Sequence, residues 1–150
     1  MSDKDFNLGN DSSPDSFFSG LLSRFEKMFN NKSSAFFDSD ELEQIIEYYI
    51  ENEEFQLAGF AIKTALDLFP DSYAFLFLKA NYLYLKDNYE EALDLLYKLE
   101  KTYPNSVDVY ILLGEILANG ENTSESIKYF DKALALAEHD DIPEIINLIT

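Results

Sequence analysis

One spacing governs this chain: from Ser39 onward its apolar residues return every 34 positions. Leu42 aligns with Leu76 and Tyr110, and Tyr49 with Leu83 and Leu117. Phe55 falls on Tyr89 and Thr123, Ala58 on Ala92 and Ser126, Ile62 on Leu96 and Phe130, and Ala65 on Leu99 and Ala133. The connectors repeat as well, Phe69-Pro70-Asp71-Ser72 against Tyr103-Pro104-Asn105-Ser106. A fixed period of this length, with small and large apolar residues in constant places, marks stacked helical hairpins.

Each period divides into two helices. The first unit, 39–72, predicts helices near 40–51 and 55–68, broken at Asn52-Glu53. The second, 73–106, predicts 73–85 and 89–101, broken at Asp87-Asn88. The third, 107–140, predicts 107–118 and 123–137, broken at Asn119-Gly120, where Gly120 is expected to take the left-handed cap. Pro70 and Pro104 end second helices, because proline disfavours helical geometry in the residue before it. Ser72, Ser106 and either Asp38 or Ser39 are the expected N-caps.

The flanks differ from the repeats. Residues 1–15 are polar and are expected to form a disordered tail. Within 16–38, Phe17, Phe18, Leu21, Leu22, Phe25, Met28 and Phe29 follow a helical stripe over about 17–30, with Ser16 as its expected cap. That segment reads as a capping helix or a docking helix, followed by a linker. At the other end, Asp141-Ile142-Pro143-Glu144 opens a short apolar helix over 141–150. It is either a capping helix or the start of a fourth unit, which would make the chain a fragment of a longer repeat protein.

Charge narrows the partners. The net charge is −18, and Arg24 is the single arginine. Nucleic acid and anionic membrane are therefore disfavoured, since both are bound through lysine and arginine. The acids concentrate in 39–72, with nine acids against one base, and in 107–150, with nine against two. Such segments attract basic partners. The absence of cysteine excludes disulfides, thiolate zinc sites and a cysteine nucleophile. The start of the chain, Met1-Ser2-Asp3-Lys4-Asp5, has no basic region followed by an apolar run, and the chain reads as soluble and cytoplasmic.

The repeat resembles the tetratricopeptide repeat (TPR) family, over about 39–140. That family has a 34-residue unit, small residues at fixed places in both helices and a proline in the connector. The second unit matches best, with Ala80, Leu83, Tyr89, Ala92, Leu96 and Pro104. The first unit keeps Tyr49, Ala58, Ala65 and Pro70, but has Ile46 where a small residue is usual. The third keeps Gly114, Leu117, Ser126, Phe130 and Ala133, but has Glu138 where proline is expected. The resemblance implies an all-α fold: a right-handed α-solenoid of three helical hairpins, with an N-terminal helix and a short C-terminal helix.

It also implies a function, protein or peptide binding on a concave face lined by the first helices. Helical spacing and the repeat offset place Asp40, Glu43, Glu47, Phe77, Asn81, Tyr84, Asp108, Ile111 and Glu115 on that face. Carboxylates flank an apolar and aromatic centre, so the expected ligand is basic with apolar anchors. A lysine and arginine cluster that grips chaperone C-termini, known in the family, is missing here.

No catalytic site, metal site or cofactor is expected. His139 beside Asp140 and Asp141 is weak ligation in a connector, and Asp38-Ser39-Asp40 lacks the glycine and closing glutamate of a calcium loop. Composition and general resemblance point to a bacterial cytoplasmic scaffold or adaptor. The alternatives are a small acidic chaperone of the secretion type, a homodimer through its N- or C-terminal helix, or a structural spacer.

Overall fold

The computed structural model describes residues 14–137 and 142–149. Eight helices and no strand occur among them: α1 (Pro14–Asn31), α2 (Ser39–Glu51), α3 (Phe55–Leu68), α4 (Tyr73–Leu85), α5 (Tyr89–Thr102), α6 (Val107–Asn119), α7 (Thr123–Leu136) and α8 (Ile142–Ile149). The start and end of α2 recur 34 residues later in α4 and again in α6, and those of α3 recur in α5 and α7. The fold is thus the all-α helical-repeat class the periodicity predicts. Expectations for residues 1–13 and for His139, Asp140 and Asp141 lie outside the described residues.

Local chemistry explains the boundaries. Asp38 caps α2 through a reciprocal box: its Oδ1 accepts from the Glu41 backbone N–H at 2.8 Å, and Glu41 Oε2 accepts from the Asp38 N–H at 3.0 Å. Ser72 and Ser106 cap α4 and α6, accepting from the Phe75 and Val109 N–H groups. At the N-terminus, α1 starts at Pro14, earlier than expected, so Ser16 lies inside its first turn and residues 14 and 15 are helical, not tail. Proline suits that position because its missing N–H would find no helical partner there.

The turns inside the hairpins correct one expectation. Gly120 has φ −85° and is not left-handed. The left-handed residues are Glu53 (φ 57°), Asp87 (φ 61°) and Glu121 (φ 63°), which recur at the same period. In each turn two backbone bonds close the helix end: Glu53 N–H to Ile50 O with Glu54 N–H to Tyr49 O, Asp87 to Tyr84 with Asn88 to Leu83, and Glu121 to Ala118 with Asn122 to Leu117. This is the Schellman arrangement, with an acidic side chain where glycine is commonest.

The chain forms two compact units, Met1–Ala61 and Ile62–Thr150, with the boundary inside α3. The core of the first is aromatic. The ring of Phe25 lies 5.7 Å from Phe37, 5.8 Å from Tyr49 and 5.7 Å from Phe60, all centroid to centroid. Tyr49 donates its hydroxyl to Glu26 at 3.0 Å, which satisfies the polar end of a buried side chain. Arg24 sits 4.7 Å over the Phe37 ring and reaches both the Phe36 carbonyl and Glu41, so α1 is tied to the capping box of α2.

The core of the second unit is mainly aliphatic and follows the repeat. Ala80, Leu83, Ala92, Leu96, Leu99, Leu113, Leu117, Phe130 and Ala133 are all buried in one cluster. The small residues are where helices approach closely. Gly114 on α6 faces the Phe130 ring on α7, and Ser126, in the place of Ala58 and Ala92, donates its hydroxyl to the Gly114 carbonyl at 2.8 Å. A buried hydroxyl is tolerated there because that bond satisfies it.

Candidate functional site

Within the second unit, α4 and α6 flank an open concavity of about 390 Å³. It is lined by Phe77 and Asn81 of α4, Val107, Asp108, Ile111, Leu112 and Glu115 of α6, and Glu144 of α8. Five of the expected groove residues therefore come together: Phe77, Asn81, Asp108, Ile111 and Glu115. Their side chains meet because helices α4 and α6 carry them at equivalent repeat positions, Phe77 with Ile111 and Asn81 with Glu115.

Two hydrogen bonds fix the spacing of the two helices. At the start of α4, the Tyr73 hydroxyl pairs with Ser106 Oγ at 2.5 Å. At the end of α4, the Tyr84 hydroxyl accepts from Asn119 Nδ2 at 2.6 Å. Tyr73 also stacks on Phe77, with centroids 6.1 Å apart, and meets Tyr103 edge-on at 4.9 Å. Tyr84 was expected as a groove anchor. It is not among the lining residues and instead ties α4 to α6.

The wall is electrostatically one-sided. Asp108, Glu115 and Glu144 contribute carboxylates, and among the described residues no lysine or arginine lines the concavity. The ion pairs among the described residues are Arg24–Glu41, Lys63–Asp67 and Lys132–Glu100, and none involves these three acids. Glu115 is half-buried, and that burial, followed by the neighbouring Glu144 charge, pushes its carboxyl above the usual carboxylate range. Val107, Leu112 and Glu144 were not expected from the sequence.

Asp40, Glu43 and Glu47 lie on α2, in the first unit. Their spacing puts them on one face of that helix. Asp40 and Glu47 are exposed and Glu43 is half-buried. Glu47 is pushed up by partial burial first, then by Glu43 and Glu51. Among the described residues no group of acids and histidines is arranged to hold a metal ion. No described helix is long and apolar enough to cross a membrane.

Hairpins repeating at this period, with small residues at the close approaches, define a helical-repeat protein. Residues 45–107 match the model of the tetratricopeptide repeat family. Among solved structures the chain is similar to MamA AMB-1 in two crystal forms. The first is 20% identical, with 90% of this chain and 71% of that one covered and a TM-score of 0.64. The second is 20% identical, with 89% and 83% covered and a TM-score of 0.59. At that identity the likeness establishes the fold. No curated protein matches the chain.

Proposed function

We propose that this chain is a non-catalytic scaffold or adaptor that binds a basic polypeptide segment with apolar anchors in the α4–α6 concavity. The observation that carries this reading is the pairing of an apolar floor, Phe77, Ile111 and Leu112, with three carboxylates that have no cationic neighbour in the lining among the described residues. Asn81, in the lining, would bond a peptide backbone, and the acids Asp40, Glu43 and Glu47 give α2 the same sign of charge. The units 39–72, 73–106 and 107–140 each act as one hairpin of the array. The setting is a bacterial cytoplasm, with nucleic acid and membrane excluded as partners by charge.

Cross-linking followed by affinity capture tests this, comparing the natural chain with Phe77→Glu. The variant loses the basic partners that the natural chain retains. An unchanged set of partners removes the concavity from the proposal.

A second reading, a dimeric chaperone, is favoured by exposed apolar residues on the terminal helices. Phe17 on α1 is 68% exposed, and Ile146, Leu148 and Ile149 on α8 are exposed as well. Light scattering after size exclusion decides it: a monomer at high protein concentration rejects the dimer.

A further inference from the structure

The concavity also specifies which part of a partner it holds. Its volume, about 390 Å³, is at the low end for ligand pockets and accommodates a long side chain. The floor is the Phe77 ring with Ile111, and the charged walls come from separate elements, Glu115 from α6 and Glu144 from α8. These two carboxylates repel each other, and among the described residues no lysine or arginine lines the concavity they share. A bound cation removes that repulsion and attracts both walls.

Arginine fits this better than lysine. Its planar guanidinium stacks on an aromatic face and bonds carboxylates through two parallel donors, whereas an ammonium is a strongly hydrated point charge. The aliphatic stem lies on the apolar floor while the head meets the acids.

We propose that the α4–α6 concavity is a socket for a single arginine side chain of the partner polypeptide, with Glu144 making α8 its closing wall. This rests on the reading of the concavity as the binding groove. Because Glu144 sits on a different helix from Glu115, binding of the guanidinium and docking of α8 are linked. Each strengthens the other, as thermodynamic linkage requires.

The test uses the full chain, isotope-labelled, titrated with N-acetyl-arginine methylamide and followed by nuclear magnetic resonance. The matching lysine and citrulline amides serve as comparisons. The arginine amide shifts Phe77, Ile111 and Glu115 together with α8. The lysine amide binds about 2- to 5-fold more weakly, and the neutral citrulline amide at least about 10-fold more weakly. Glu144→Gln lowers arginine affinity about 2- to 5-fold, as expected for a partly exposed charge pair. In the natural chain, saturating arginine amide slows hydrogen exchange along α8.

Equal binding of citrulline and arginine amides overturns the cation socket. If Phe77→Glu still abolishes partner capture in that case, the groove reading survives alone. Shifts scattered over the acidic surface, including α2, also overturn it, since they report nonspecific attraction to a chain of net charge −18. Unchanged affinity in Glu144→Gln, with unchanged exchange in α8, removes α8 from the site.

Discussion

Gly114 and Phe130 are in contact so close that no side chain fits between them. A β-carbon at Gly114 would stand 2.7 Å from Phe130 Cε1 and 2.8 Å from its Cζ. Phe130 is 3% exposed, so its ring has no solvent to retreat into. Gly114→Ala gains about 1 kcal/mol of helix propensity. Against this, overpacking of a well-filled core costs about 1–3 kcal/mol, and more for a contact this short. The expected net loss is about 1–2 kcal/mol, read as a lower urea midpoint. Adding Phe130→Leu to Gly114→Ala should recover part of it. Strictly additive effects of the two changes would mean that the contact is not the cause.

The left-handed turn residues should respond to glycine. Glu121 holds φ 63° with a full side chain, in a position that glycine fills at lower cost. Glu121→Gly is expected to stabilise by about 0.5–1 kcal/mol, after allowing for the extra freedom glycine gives the unfolded chain. Asp87 is different, because its Oδ1 accepts a bond from the Tyr89 hydroxyl at 2.9 Å. Asp87→Gly loses that contact and should gain less. Thermal melts of the two variants make the comparison, and a destabilised Glu121→Gly would contradict the turn geometry.

Stability should rise on mild acidification. Glu47 and Glu115 are both pushed above the usual carboxylate range, chiefly by burial, with like charges adding: Glu43 and Glu51 for the first, Glu144 for the second. Between the ordinary carboxylate range and their raised values, the folded chain binds more protons than the unfolded chain. Stability therefore falls as pH rises through that window, and the two groups oppose folding at neutral pH. The melting temperature should increase from neutral pH toward the window. Glu47→Gln combined with Glu115→Gln should flatten the dependence. A double variant with the same pH slope as the natural chain would assign the effect to other acids.

Ala92 tests the register of the middle hairpin. It is fully buried, on the α5 face that packs into the core of the second unit. Ala92→Glu places a carboxylate there with no partner and no room, at a cost of more than about 3 kcal/mol. Circular dichroism should show loss of helix content or an early melt. A melt like that of the natural chain would count against the alignment of Ala58, Ala92 and Ser126.

Much of the fold was legible because its determinants are local. Helix boundaries follow from short-range chemistry, such as Ser72 and Ser106 capping their own helices and Pro104 ending the one before. The buried set follows from periodicity, since Ile62, Leu96 and Phe130 occupy equivalent places in the repeat and all are buried. In the third hairpin the sequence points to Gly120 for the left-handed residue, whereas the structure has it at Glu121. Glycine favours that geometry, but the Schellman bonds impose it one residue later, on Glu121.

The candidate site was legible where the repeat carries it and hidden elsewhere. Phe77 and Ile111 meet because their helices are equivalent and adjacent in the array. Tyr84 meets Asn119, 35 positions away, and Tyr73 meets Ser106, 33 away, so both ties fall just off the period. An alignment of equivalent positions does not reveal such pairs.

By itself the sequence determined the period, the helix limits within the repeats and the residues that must be small, because 3.6-residue periodicity, caps and turns act within a few residues of one another. Only the tertiary structure decided that Glu144 stands beside Glu115 across a shared hollow, and that Tyr84 binds Asn119. Those placements depend on how separate helices pack, on side-chain volume and on hydrogen-bond reach, and no local pattern encodes them.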